Sequence, residues 1–588
     1  MKKLASLCLA AALAGCAVLS ACCVPNDKLG YVPSIGKEEG LRVHALSNSG
    51  DTGAWHLWQS VHDETLRSST PSEKYFFLPS CADENSAEVY NAYSSPVTLG
   101  SVTLEPHATA DVPYEENTPY TVSVGEENYT LTFLRSTAEA AVFMNNENAD
   151  GAGTDLFTYI NDMEGNSDKS RTAKADCITL DAQGNADKTP VKKLKGRGNT
   201  SWGKSKKSYN VTYENALSVA GMKKGKKYSL VANYQDDSLS RNRILYDLSD
   251  AVGIPYASDS RCADLYINGY YCGSYQMCEK IAVGKNSLVN DIEAKDYLAP
   301  DGTIEGDLPF LCVVDPSADE NADYCVSTDG GLVTIKYPEL EPTDPGYEAV
   351  KSYVAEKYNA FFAAAASGSG LSEIGDVDSL AKVFLINELG KNWDSGVSST
   401  YFVYKPDASG NYKFYGSPVW DYDNTLGNAK GVTAELKHLG VDDYTEYTGW
   451  WCMYKGGSEN IMNRLAQNPE ITAAAKTIWF DKFVPSLAHF GGEGSDTADS
   501  ELYTADRYFS IAKGSAEMNY KSGWRLNTGS WIADHSTLTK AHFDSASKQM
   551  VTDSSPTAYA ADFEGSFNYC RDWLISRAAW ISQEYSAE

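Results

Sequence analysis

Lys195-Gly196-Arg197-Gly198-Asn199-Thr200-Ser201-Trp202-Gly203-Lys204-Ser205-Lys206-Lys207-Ser208-Tyr209-Asn210-Val211-Thr212-Tyr213 runs from a glycine turn into a strand. From Lys207 onward Tyr209, Val211 and Tyr213 recur with period two, the pattern of a strand with one buried face. Glycines in the turn let backbone N–H groups approach an anion closely. Basic residues crowd the same stretch: between Lys192 and Lys227 stand eleven of them, with Glu214 the single acid. Over the whole chain of 588 residues, 50 Lys and Arg face 79 Asp and Glu, a net charge of −29. Such an island in so acidic a chain suits a polyphosphate or another anionic partner. A solvated face is the ordinary alternative. The overall charge argues against nucleic-acid binding.

Gly198-Asn-Thr-Ser-Trp-Gly203-Lys204-Ser205 also satisfies the spacing of a P-loop. The context does not. A P-loop follows a buried apolar strand and opens a helix, whereas Val191-Lys-Lys-Leu-Lys195 precedes this turn and an alternating strand follows it.

Outward from the island, residues 146–290 mix strands with one helix. Ser238 to Val252 carries Leu239, Ile244, Leu248 and Val252 at helical spacing, and Gly253 and Pro255 stop it. Ala263 to Ile281 reads as a hairpin turning at Asn268-Gly269. Upstream, from 74 to 145, short alternating runs such as Tyr120-Thr-Val122 and Tyr129-Thr-Leu-Thr-Phe133 predict a small all-β module, with no catalytic constellation and the role of a spacer. Downstream, residues 291–588 are expected to be mostly helical. Tyr347 to Ala366 and Asp378 to Leu389 are amphipathic, a hairpin spans about 399–421, and Phe563 to Tyr585 is a helix with Phe567, Cys570, Trp573, Leu574 and Trp580 on one face.

The opposite charge gathers in Trp420-Asp421-Tyr422-Asp423-Asn424-Thr425-Leu426-Gly427. Two carboxylates two residues apart after a strand suit a hard cation such as magnesium, which takes oxygen ligands and leaves positions for phosphate. Asn392-Trp393-Asp394 stands upstream, just past the helix that Gly390 ends. Asp421-x-Asp423-x-Thr425 is also the opening motif of haloacid-dehalogenase-like phosphatases, with Asp421 as nucleophile. That fold needs a parallel strand series after the motif, which residues 430–588 lack.

Residues 1–22, MKKLASLCLAAALAGCAVLSAC, are an address: two lysines, an apolar run and a terminal Leu19-Ser-Ala-Cys22. The last four resemble a bacterial lipoprotein box, with Cys22 lipidated. A plain secretory signal is the alternative. Residues 23–73 are expected to be tether and linker. Nine cysteines lie beyond Cys23 with no C-x-x-C spacing and no His cluster, which argues against zinc.

Lys195–Trp202, Lys206–Thr212, Leu230-Val-Ala-Asn233 with Asp237 and Arg241-Asn242, Leu265–Gly269 with Gly273-Ser-Tyr275 and Glu279-Lys280, Asn392-Trp-Asp394, and Trp420–Asp423 with Gly427 together resemble the CotH kinase family, the spore-coat-protein-H-like atypical protein kinases. The resemblance implies an α+β, two-lobed kinase-like fold, with residues 146–290 as N-lobe and 291–588 as C-lobe behind the β module. It implies ATP with Mg2+ (or Mn2+), and transfer to a protein or to the chain itself. In that scheme Gly196, Arg197, Gly198 and Ser201 cover the phosphates. Lys207 grips them, with Lys206 as substitute. The strand Met277–Glu279 offers backbone groups to adenine. Asp394 takes or orients the acceptor hydroxyl's proton, and Asp421 with Asp423 holds the metal. Three positions depart from the usual kinase pattern: Ser201 replaces the third glycine, Val397-Ser-Ser-Thr400 stands where a metal-binding Asn is usual, and the helix 238–252 offers Asp247 instead of a Glu. The expected protein is an exported, lipid-anchored kinase; a catalytically silent surface binding protein on the same scaffold is the alternative.

Overall fold

The alternating runs ahead of residue 136 fold into two stacked sheets. One has four strands, Leu41–His44, His56–Trp58, Ser86–Asn91 and Thr109–Pro113; the other has six, centred on Glu73–Leu78, Glu127–Arg135 and Pro119–Val124. Val43, Val89 and Val112 of the first meet Phe76, Val122, Leu131 and Phe133 of the second in one core. Strands at 41–61 thus join the module ahead of residue 74, and Ala140–Asn145 leaves it for the next sheet. The computed structural model describes residues 40–44, 56–61, 72–318, 323–428, 445–453, 457–497, 500–524 and 537–587. The leader with Cys22 lies outside the described residues, as does most of the tether.

Next comes a closed barrel. Seven strands, β1 (Ala140–Asn145), β2 (Thr172–Asp181), β3 (Val191–Arg197), β4 (Ser208–Leu217), β5 (Gly225–Val231), β6 (Ser260–Ile267) and β7 (Tyr270–Glu279), follow the order β1-β6-β7-β5-β4-β3-β2, and β2 returns to β1. All neighbours are antiparallel except β1 and β6. Side chains alternate across a strand. Leu194, Tyr209, Val211, Tyr213, Tyr228, Leu230, Tyr275 and Met277 therefore fill the interior, joined by Trp202 and by Phe157 and Ile160 of helix α1 (Leu156–Asn161). The β6–β7 hairpin turns through Asn268 and Gly269, both at positive φ (51° and 84°), as the Asn-Gly signal requires.

Helix α2 (Arg241–Ala251) leaves the barrel and packs on the C-terminal half. That half is not purely helical. It contains a five-stranded antiparallel sheet, β8 (Phe310–Val314), β9 (Cys325–Thr328), β10 (Gly331–Tyr337), β11 (Thr400–Pro406) and β12 (Tyr412–Gly416), in the order β9-β10-β8-β11-β12. Helices α3 (Tyr347–Ala366), α4 (Val377–Gly390), α5 (Ala505–Lys521) and α6 (Phe563–Ala587), with a helical run between 461 and 490, complete it. Phe310, Phe361, Leu385, Phe402, Phe414, Trp451, Trp479 and Trp573 belong to its core. Arg577 of α6 and Glu388 of α4 form a fully buried ion pair at 2.6 Å.

The β module is more than a spacer. Its core continues into Phe143, Ile178, Tyr266 and Tyr271 of the barrel and Met518 of α5. Tyr266 donates to the Phe77 carbonyl at 2.9 Å. Among the described residues Cys177, Cys262, Cys272, Cys278, Cys312, Cys452 and Cys570 are free thiols. No helix among the described residues is long and apolar enough to cross a membrane.

Candidate active site

The glycine turn is built from the inside. A Cβ on Gly196 would lie 2.4 Å from the Trp202 ring, so the glycine makes room for that indole. Trp202 is 2% exposed and donates Nε1 to the Asn166 carbonyl. Gly198 has φ +87°, a left-handed conformation only glycine adopts freely, and Ser201 packs against it. A short 3-10 turn, Thr200–Gly203, leads into antiparallel β4 and not into a long helix, which removes the P-loop reading.

Neither island lysine of the expected pair serves the cleft. The face of β4 carrying Tyr209, Val211 and Tyr213 is the barrel interior. Lys207 therefore sits at the rim, where its Nζ donates to the Trp202 carbonyl at 2.7 Å and burial pulls its pKa down to about 8. Lys206 is 1% exposed and donates to Ala232 O, Ser274 O and Asn519 Oδ1; burial pulls it down to about 7. Met277–Glu279 is not a free hinge either. β7 runs between β5 and β6, which take up its backbone donors and acceptors. The Glu279 side chain accepts from Asp259 N, and burial raises its pKa to about 7.

The outer face of the same strands carries other cations. Lys193 lies opposite Thr212, Thr212 opposite Lys227, and Lys280 N donates to Lys227 O at 3.1 Å, so the three lysines form one row across β3, β5 and the end of β7. Lys195 and Arg197 continue that face along β3. Lys280 is lowered to about 8, by burial first and then by Lys227, with Arg197 and Lys193 acting in the same direction and Glu339 opposing. No ion pair links these five cations to a carboxylate among the described residues.

Arg197 reaches across. Its guanidinium lies 5.2 Å from the centre of the Trp420 ring, which stacks on Tyr246 of α2 at 5.7 Å. Asn199 likewise donates to Ser317 Oγ at 2.9 Å, beyond β8. The glycine turn and the acidic turn thus face each other, although over two hundred positions separate Arg197 from Asp421.

The acidic turn is held from outside. Asp421 has φ +70°, a left-handed backbone in a non-glycine residue. Its N–H donates to Tyr246 Oη at 3.2 Å, and Tyr422 N to Asn242 Oδ1 at 2.7 Å. Arg241 donates Nε to Thr425 O at 3.1 Å, while its other arm pairs with fully buried Asp236. Trp393 N donates to Asn424 O at 3.4 Å and Leu426 N to Gly390 O at 2.9 Å, which lays the Asp394 loop beside this turn. Ser399 Oγ donates to Asp421 Oδ2 at 3.2 Å. Ser399 therefore stands at the carboxylate, at the place where the kinase pattern has Asn.

Asp423 is half-buried, and burial holds its carboxyl well above the usual carboxylate range. The negative charges of Asp421, Asp394 and Asp236 push the same way. All three expected carboxylates thus lie within electrostatic reach of one another. Asp247 is not a partner of the glycine-turn lysines. It binds Arg243 at 2.6 Å and the Tyr508 hydroxyl at 2.7 Å, and burial raises it to about 6.

Asp421 follows β12 at the edge of an antiparallel sheet, so the phosphatase motif lacks its parallel-strand context. Residues 194–482 match the family described as CotH kinase protein. Over that stretch, just under half of its length, the chain is similar to the CotH kinase family. No curated protein matches it. For this family a nucleotide and a divalent metal are the expected ligands, and the donor set fits both. Among the described residues no three His, Cys, Asp or Glu side chains form a metal site by themselves. Magnesium in phosphoryl-transfer sites uses one or two carboxylates and takes its other ligands from phosphate and water. Asp421 and Asp423 would be such a pair, and a divalent cation would offset the like charge crowded around Asp423. The alternation of β4 hid Lys227 and Lys280, whose only sequence signal was their place in the basic island and beside Glu279. Arg241 and Asn242 were legible as part of the family resemblance and Tyr246 as a helix position, none of them as a support of the acidic turn.

Proposed function

We propose that the protein is an extracytoplasmic atypical protein kinase, anchored through lipidated Cys22, that transfers the γ-phosphate of ATP to a protein hydroxyl, its own included. In this reading the barrel and the C-terminal half are the two lobes of a kinase-like fold. The observation that carries it is Arg197 over Trp420, which sets a cationic roof above a carboxylate floor in one cleft. ATP bound there with Mg2+ (or Mn2+) supplies the phosphoryl group. Arg197 and Lys280, with Lys227 and Lys195 behind them, neutralise phosphate oxygens from above. Asp421 and Asp423 hold the metal from below, and Ser399 fixes the Asp421 carboxylate. Asp394 orients the acceptor hydroxyl and takes its proton. Phosphoryl transfer demands mainly this positioning and charge neutralisation.

A second reading is a surface binding protein that holds nucleotide without transfer. One observation favours it: Lys206 and Lys207 both spend their ammonium groups on carbonyls away from the cleft. Purified protein with labelled ATP, magnesium and its own surface as acceptor separates the two. Label lost in both Asp394→Ala and Asp421→Ala supports the kinase. Magnesium-dependent ATP binding without label supports the binder, and label unchanged in both variants refutes the site.

A further inference from the structure

The turn above the cleft is anchored from behind by a helix that lies outside the family match, which ends at residue 482. An ammonium group has three donors and no acceptor. Lys206 finds three acceptors from three elements: Ala232 O beyond β5 at 3.0 Å, Ser274 O on β7, and Asn519 Oδ1 on α5 at 2.8 Å. Asn519, itself 1% exposed, also accepts from Ser274 N at 3.1 Å and donates Nδ2 to Trp524 O at 3.2 Å. The strand leaves space for this pair. A Cβ on Gly273, which has φ +111°, would lie 2.7 Å from Lys206 Cε and 2.8 Å from Asn519 Oδ1. The nearby carboxylate, Asp264, is bound instead by the Tyr271 hydroxyl at 3.0 Å and by Ser515 Oγ of α5 at 2.6 Å. Lys206 thus neutralises no acid by direct contact; its charge fixes a position. Arg197 and Lys206 bound the glycine turn at its two ends, one reaching into the cleft and the other stapled to α5.

We propose that Lys206 and Asn519 are a positioning pair through which α5 sets the height of the glycine turn over Asp421. The proposal rests on the nucleotide reading above. In the full-length protein, Asn519→Ala raises KM for ATP about tenfold and leaves kcat at saturating ATP within about twofold, because the reacting carboxylates are untouched. Asn519→Asp keeps the acceptor oxygen and restores KM. A variant that lowers kcat at unchanged KM overturns the proposal, as does Asn519→Asp behaving like Asn519→Ala while both melt with the wild type. Should Asn519→Ala fail to fold, Lys206→Met, which keeps the buried stem, carries the same expectation. Calorimetry of the wild type with Mg-ATP separates the two levels. No binding there overturns the nucleotide reading and the positioning pair with it. Wild-type binding with no change in either variant overturns the pair alone.

Discussion

The basic turn at 196–203 and the acidic turn at 421–427 meet across one cleft, but they are made in opposite ways. The basic turn is shaped by its own residues: Gly196 admits Trp202, Gly198 supplies the left-handed bend, and Lys207 caps the Trp202 carbonyl. The acidic turn has bonds of its own, Thr425 Oγ1 to Tyr422 O at 2.6 Å and Asn428 Nδ2 to Asp423 O at 2.7 Å, but it is clamped from outside by α2, through Arg241, Asn242 and Tyr246. A self-built turn shows its architecture in the sequence and can be mistaken for chemistry. A clamped turn shows its chemistry and conceals its supports.

The largest expected break is on the acidic side. Asp421→Ala or Asp394→Ala lowers the rate of label transfer by about a thousandfold, with melting close to wild type. Loss of transfer in only one of them would show that the Asp394 loop and the acidic turn do not act as one site. Next is the clamp. Arg241→Met strands Asp236, whose side chain is fully buried, without its ion-pair partner. It should cost about 3–5 kcal/mol in denaturant unfolding. A cost below 1 kcal/mol would mean that the acidic turn stands without α2.

Glu279 gives a pH test of the barrel wall. Its pKa is raised to about 7 by burial, from 4.5 in the open chain. Below pH 4.5 both states hold the proton. Between 4.5 and 7 the folded state holds more, so stability falls as pH rises through that window. Glu279→Gln should therefore be nearly neutral at pH 4 and stabilise by about 3 kcal/mol at pH 8, with the slope between removed. A pH-independent difference would refute the burial argument. Last, the two faces of the barrel are compared directly. Lys280→Ala weakens Mg-ATP binding about tenfold, whereas Lys207→Ala changes it less than about twofold. The reverse order would return the phosphate grip to the turn itself.

These contrasts explain what was legible. The period of β4, the Asn268-Gly269 hairpin and helices α2, α3, α4 and α6 could all be read from local patterns, because each is specified within its own segment. Period two fixes the alternation of a strand but not which face meets the core, so Lys207 was expected in the cleft and Lys280 was passed over. The hairpin at about 399–421 was read, but the strand Phe310–Val314 beside it escaped notice because a fully buried strand shows no alternation to set it apart from a helix segment. Asp394, Asp421 and Asp423 were recognisable by type and order. Asn519 could not be found that way, since over three hundred positions separate it from Lys206 and only the tertiary fold joins them.

The barrel has one further consequence. A sheet that closes on itself has no free edge and resists shear, since sliding one strand would disturb every register around the ring. Opening and closing over a nucleotide therefore cannot be a flexing of the roof. The cylinder would have to move as one block, together with the sandwich welded to its side and α5, which Asn519, Ser515 and Met518 fasten to both.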